Sequence, residues 1–199
     1  MRRVAGLVLL VCGGLAACGL PEDEKPRLIA ADEAPLSLSN QTPAAEDLAP
    51  GEIRAILYFF DANGTLVQVR HPVEASDDPS ISLQRAIASL IAGPDAEDLA
   101  ANINSAIPVD TTLNGVQLSA DGVAMIDLGP EEGGVLAVQG TEQLNLFAQF
   151  VYTATQIDGV ESVQFSVNGV AQPVPTEANP AIDTPVRRVD YPSFEPSRS

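Results

Sequence analysis

Sixteen prolines partition this 199-residue chain, and their placement limits where regular structure can form. Pro21, Pro26, Pro35, Pro43 and Pro50 crowd one flank, and Pro173, Pro175, Pro180, Pro185, Pro192 and Pro196 crowd the other. Proline locks φ and lacks a backbone donor, so neither flank can sustain a helix or a strand ladder of ordinary length. The prolines between them stand where elements should start or stop. One domain is therefore expected over residues 51–171, with a proline-rich tail over 172–199.

Ahead of the first proline flank, Arg2-Arg3 precedes an apolar run from Val4 to Leu20 that contains Leu15-Ala16-Ala17-Cys18. Positive residues, an apolar stretch and small residues before a junction form the layout of a secretory signal peptide. A cysteine directly after the small pair resembles the bacterial lipobox, whose thiol receives a diacylglycerol before cleavage. Residues 1–17 are then the leader, and Cys18 becomes a lipidated N-terminus carrying palmitate-type acyl chains. The alternatives are a soluble secreted product or an uncleaved anchor. The run is broken by Gly13-Gly14 and sits at the lower edge of the roughly 17–25 residues a membrane span requires. Two acyl chains hold a protein stably where one gives only about 10⁴ M⁻¹. Cys12 leaves with the leader, so the mature chain has no second thiol for a disulfide.

Residues 18–50 read as an acidic, disordered tether. From Gly19 to Pro50 seven acids face Lys25 and Arg27, with no aromatic residue and no sustained apolar period. Such a stretch buries too little surface to offset its ordering entropy. As a coil it would reach roughly 30 Å, and fully extended roughly 110 Å. Loss of Arg2 and Arg3 with the leader takes the net charge from −17 to −19. That balance excludes nucleic acid, whose phosphates require clustered Lys and Arg, and docking on anionic headgroups. It serves solubility first and attraction of a basic partner second.

Within the domain, Ile53 to Phe60 becomes apolar on both faces, as in a buried strand. Asp61-Ala62-Asn63-Gly64 turns it into a second strand from Leu66 to Arg70, which Pro72 should end. Asp78-Pro79 starts a helix with Leu83, Ile87, Leu90 and Ile91 on one stripe, and Gly93-Pro94 stops it. A short helical passage lies between Asp95 and Ala106. Thr112 to Leu118 and Val123 to Leu128 form a second strand pair about Ala120-Asp121-Gly122. Gly129 to Gly134 is a loop, and Thr141 should cap the longest helix with Glu142 in its first turn. That helix carries two apolar stripes, one of Leu144, Phe147, Val151 and Ala154 and one of Leu146, Phe150 and Ile157. It is either a central helix covered by the tail or a docking face, and the exposure of Leu146 and Phe150 decides. Val163, Phe165 and Val167 alternate with polar residues in a last strand before Asn168-Gly169. Val186 to Phe194 is the part of the tail able to pair or pack. The expected class is α+β, a mixed sheet with two main helices on one face in the order ββαββαβ.

Catalytic chemistry is not legible in this chain. His71 alone cannot supply a zinc ligand set and reads as a surface or structural residue. There is no Gly-x-Ser-x-Gly elbow, no phosphate-cradling Gly-rich loop and no calcium loop. Adjacent acids such as Asp77-Asp78, Glu97-Asp98 and Glu131-Glu132 arise freely in a chain with 27 of them, whereas hydrolytic pairs must oppose each other across a cleft. No catalytic residue, cofactor or metal ligand is assigned, and lipid attachment at Cys18 is the one specific role.

The order of elements and their wording resemble the sporulation and spore germination domain, GerMN. The matching stretches are Leu57-Tyr58-Phe59 with Leu66-Val67; Leu90-Ile91-Ala92-Gly93-Pro94; Ser105-Ala106-Ile107-Pro108 with Thr111; and Asn114-Gly115-Val116 with Asp121-Gly122 and Ile126-Asp127-Leu128. Gln149-Phe150-Val151-Tyr152-Thr153, Gly159-Val160 and Val163 to Gly169 complete the series. The resemblance implies a fold similar to ring-building domains of secretion-like assemblies and a non-catalytic role in bacterial envelope lipoproteins. The expected protein is a lipid-anchored binding module on the extracytoplasmic face of the cell membrane, its partner an envelope protein or a cell-wall component. A subunit of an oligomeric assembly, including a homo-oligomer, is the alternative, and a wall-active hydrolase comes third. Metabolic labelling with a fatty acid tests the anchor: label is expected on the wild-type chain and should vanish in Cys18→Ala.

Overall fold

The computed structural model describes residues 48–130 and 132–196; the leader, Cys18 and nearly all of the tether lie outside these. Strand β1 (Glu52–Phe60) pairs antiparallel with β2 (Leu66–Glu74), from Phe60 opposite Leu66 to Glu52 opposite Glu74. The turn forms as its residues dictate. The Asp61 carboxylate accepts the N–H groups of Asn63 and Thr65, each at 2.8 Å, and Gly64 takes the positive φ of +76°. β2 runs past Pro72, which pairs with Arg54, so the expected stop is corrected. β2 has one partner strand, and proline is tolerated on such an edge because its missing N–H is not needed there.

Helix α1 (Pro79–Ala92) begins as read, with the Asp78 carboxylate accepting the Ser80 N–H at 2.8 Å and Pro79 in the first turn. Its stripe of Leu83, Ala86, Ile87 and Leu90 is buried, and it ends at Gly93, φ +87°. The short α2 (Ala96–Ala100) follows. β3 (Thr112–Leu118) and β4 (Val123–Gly129) then pair antiparallel, with a register shift between Leu113 and Gly115. β4 runs parallel to β5 (Ser162–Val167), and β5 pairs antiparallel with β6 (Val170–Ala171). The sheet of β3-β4-β5-β6 is thus mixed, and the hairpin stands as a sheet of its own.

The parallel pair requires a crossover, which α3 (Gly134–Ala137) and α4 (Thr141–Ala154) provide. Gly140, φ +64°, occupies the cap position, and no side chain caps this helix. Thr141 is instead its first residue; with glycine turning the chain ahead of it, the cap position lies one residue earlier. Glu142 sits in the first turn as expected.

Every residue of α4 from Leu146 to Ala154 is buried. Phe147 and Phe150 meet Phe165 at centroid distances of 4.8 and 5.8 Å, and Tyr152 meets Tyr58 at 5.4 Å. Thr153 Oγ1 accepts the Tyr58 N–H at 3.0 Å. Gln149 pins the loop before β3: its side-chain oxygen accepts the Ala106 N–H (2.9 Å) and its amide donates to Ser105 Oγ (3.1 Å). Leu146 and Phe150 are both 0 % exposed, so the helix is a central, covered element rather than a docking face.

Part of the cover is the segment after Gln172. Val186 exchanges both backbone hydrogen bonds with Val163 at 2.8 Å, and Val174 does the same with Ile182. Val174, Val186 and Tyr191 are buried. Tyr191 Oη donates to the Pro175 carbonyl at 2.7 Å, and Tyr152 Oη donates to the Tyr191 carbonyl at 3.2 Å. This strap belongs to the core, which yields a stability prediction. Tyr191→Ala should lower unfolding free energy by about 3–5 kcal/mol, as removal of a buried aromatic does. Tyr191→Phe should cost only about 1 kcal/mol, the worth of one hydrogen bond. Urea titration of both variants checks the difference; a near-neutral Tyr191→Ala would mean that the strap is not part of the cooperative unit.

Candidate functional site

Where the strap meets β1, β2 and the end of α4, a hollow of about 620 Å³ opens. Tyr58 and Gln68 reach it from the hairpin, Tyr152 from α4, and Arg188, Val189, Pro192, Glu195 and Pro196 from the strap. The volume lies in the range of small-molecule sites.

Arg188 organises the hollow. It opens a 3₁₀ turn (Arg188–Asp190) that is held by the Arg187 N–H donating to Asp190 Oδ2 at 2.7 Å. Its guanidinium carbon lies 5.0 Å from the Tyr152 ring centroid and 5.6 Å from that of Tyr58. Each such contact is worth about 0.5–2 kcal/mol, according to how dry it is. Nε donates to Thr155 Oγ1 at 2.6 Å and Nη2 to the Tyr152 carbonyl at 3.0 Å. α4 has no basic residue in its last turn, so Arg188 supplies from far along the chain the cation that a helix C-terminus favours.

The Tyr58 hydroxyl accepts the side-chain amides of Gln68 (2.8 Å) and Gln156 (2.6 Å). With both lone pairs engaged, that oxygen has only its own proton left to offer a ligand. Burial pushes the Tyr152 phenol above its ordinary pKa; the Glu195 charge adds to this and Arg188 opposes it. The Tyr152 phenol therefore stays protonated at neutral pH. The lining combines hydroxyl, amide, guanidinium and carboxylate groups with valine and proline, and it holds no serine, cysteine or histidine among the described residues. It is equipped to bind. Sequence reading placed Tyr58 and Tyr152 only in regular elements and overlooked Arg188. The available signal was an Arg187-Arg188 pair beside Tyr191 in an otherwise acidic, proline-rich stretch.

His71 lies elsewhere, buried within β2 rather than at the surface. Its Nε2 donates to Asp98 Oδ2 at 2.6 Å, its ring packs 5.6 Å from Phe59, and Nδ1 faces Ser89 Oγ at 3.4 Å. Asp95 Oδ2 is 3.9 Å away. These three side chains gather their donor atoms within 4.8 Å, close enough for a cation. Yet both carboxylates already hold α2: Asp95 accepts the N–H groups of Glu97 and Asp98, and Asp98 returns to the Asp95 N–H. That reciprocal capping box, with His71 attached, is a latch between β2 and α2. The other acid pairs do not assemble either. Asp78 caps α1, Asp77 is exposed, and Glu131 lies outside the described residues.

A family model described as sporulation and spore germination, Germane, matches residues 56–173, more than half of the chain. Solved structures similar to it include two of the sporulation protein GerM from Bacillus subtilis. Its tandem GerMN domains align at 25% identity over 70% of this chain and 47% of that one, with a TM-score of 0.55. Its first GerMN domain aligns at 25% identity over 68% of this chain and 98% of that one, with a TM-score of 0.54. This chain thus spans about half the length of the tandem protein it matches. No curated protein matches it.

The latch carries the prediction here. His71→Leu strands Asp98 and should destabilise the domain by about 1–3 kcal/mol, while Glu97→Gln, at an exposed position, should be close to neutral. The Asp95 carboxyl is held below its ordinary pKa, chiefly by the Asp98 N–H. A depressed folded pKa means stability present above the unfolded value and lost as pH falls below roughly 3.9 through the folded one. Asp95→Asn should therefore flatten the acid limb of a stability–pH profile measured by urea melts; an unchanged limb would contradict the assignment.

Proposed function

The chain belongs to the Germane family of sporulation and spore germination domains, and from that membership we propose a lipid-anchored, non-catalytic binding module on the extracytoplasmic face of a bacterial membrane. The observation that carries the binding role is the strap-walled hollow, whose fixed donors and acceptors surround no nucleophile–base pair among the described residues. The address rests on Leu15-Ala16-Ala17-Cys18 behind Arg2-Arg3. No helix among the described residues is long and apolar enough to cross a membrane. The partner in this reading is an envelope protein or a component of the cell wall, brought within reach by the 32-residue stretch from Gly19 to Pro50.

Self-assembly through α4 lacks a surface, because Leu146 and Phe150 are fully buried. Assembly through strand edges is the competing outcome of the test. A photo-crosslinker at Val189, 74 % exposed at the rim of the hollow, is compared in the anchored full chain with one at Met125, exposed on the mixed sheet. The expected result is an identified wall fragment or envelope protein captured from Val189 and not from Met125. Self-crosslinks alone would favour the assembly instead, and turnover of isolated wall polymer by the purified chain would overturn the non-catalytic role.

A further inference from the structure

A second hollow, of about 460 Å³, lies where the start of α4 meets the loop before β3 and the tip of the hairpin. It shares no lining residue with the strap-walled one, and it too is of small-molecule size. Its walls are held from behind. Asn104 exchanges both backbone hydrogen bonds with Phe60, at 2.8 and 2.7 Å. Gln149, on the buried part of α4, grips Ser105 and Ala106, and Ser105 Oγ also accepts the Ile107 N–H at 3.1 Å. A wall fixed in this way needs little reordering when a ligand arrives.

Glu142 and Asn145 stand three residues apart on α4, hence on one face of the helix, and both line the hollow. Neither side chain makes a hydrogen bond or an ion pair with any described residue. The carboxylate can only accept, while the carboxamide offers two N–H donors and an acceptor. Ser105 adds a third group. With its two lone pairs taken by Ile107 and Gln149, its hydroxyl retains a proton to donate. Ile107, Pro108 and Val138 make the apolar wall, and no lysine, arginine or histidine lines the site.

These groups narrow the ligand by elimination. An anion would face Glu142 with no cation to offset it. A metal ion would find one carboxylate where it needs a set of oxygen ligands. An ammonium would suit Glu142 but leave the Asn145 N–H groups and the Ser105 proton unmatched. A wholly apolar body would strip water from the carboxylate and carboxamide and return no hydrogen bond. A sugar ring meets all the demands at once, because each hydroxyl both donates and accepts and the ring also has a C–H face. We propose that this second hollow binds a neutral sugar of a glycan, its hydroxyls on Glu142, Asn145 and Ser105 and its C–H face on Pro108 and Val138. The proposal adds a site to the one argued above and rests on that envelope reading for the source of the glycan, a wall polymer.

Calorimetry and amide chemical shifts of the full chain in detergent test it with three uncharged probes: tri-N-acetylchitotriose, cellotriose and N-acetyl-dialanine amide. At least one trisaccharide should bind, with little response to added salt, and should move amides within 104–109 and 138–145 while those of 187–196 stay in place. Glu142→Gln and Asn145→Ala should each weaken that binding at least fivefold. Because neither side chain has a partner in the fold, both variants should melt as the wild type does, and melts are recorded to verify it. Failure of both trisaccharides overturns the proposal, as does binding that survives both substitutions. Shifts confined to 187–196 would move the sugar to the strap-walled hollow and overturn the second site. Binding of the blocked dipeptide alone would overturn the ligand class. In each of these cases capture from Val189 still decides the binding reading, which falls as well only if Val189 captures nothing.

Discussion

Nine consecutive residues of one helix, Leu146 to Ala154, have no exposed side, and the rest of the domain is arranged around that constraint. A 14-residue helix has little stability of its own in water; packing must supply it. β5 supplies Phe165, β1 supplies Tyr58, and α1 packs against α4 as well. The strap closes what remains through Val174, Val186 and Tyr191. Burial on all sides also forces the polar residues of the helix to find partners. Gln149 and Thr153 are both buried, and each meets that demand by tying the helix to another piece of chain, the loop at Ser105-Ala106 and the strand at Tyr58. The same bonds that satisfy these side chains fix the positions of Tyr58 and Tyr152, and hence two walls of the hollow.

Much of this architecture was written in local signals. Asp78-Pro79 and Gly93-Pro94 bracket α1, and the Asp61-to-Gly64 turn sets the hairpin. The Thr112-to-Leu118 strand was read to the residue, because its limits depend on neighbours in the sequence. The misjudged points depend on what lies across space. Pro72 stays in a strand because β2 is an edge, which no local pattern reveals. Gly140 displaces Thr141 as the cap through a backbone angle that the residue types do not announce. His71 looked like a residue at the end of a strand until α2 brought Asp98 against it.

The hollow was the least legible part, for the same reason. Its walls come from β1, β2, α4 and the strap, and the composition of the strap suggested only an irregular tail. What proline density excludes is continuous ladder, not packing. Two isolated bridges, Val163 with Val186 and Val174 with Ile182, are enough to seat it, and the prolines between them stiffen the path. The family relationship accounts for the scaffold, while the residues that distinguish this hollow lie after the matched region.

The seating of the strap also orders events in time. Synthesis runs from the N-terminus, and Tyr191 is made 39 residues after the Tyr152 hydroxyl that bonds its carbonyl. Until that late segment emerges, one side of the central helix has nothing to lie against. The core therefore cannot be completed until that segment has been made, so a ribosome-bound chain halted before Val186 should hold its hairpins while this side of α4 stays uncovered.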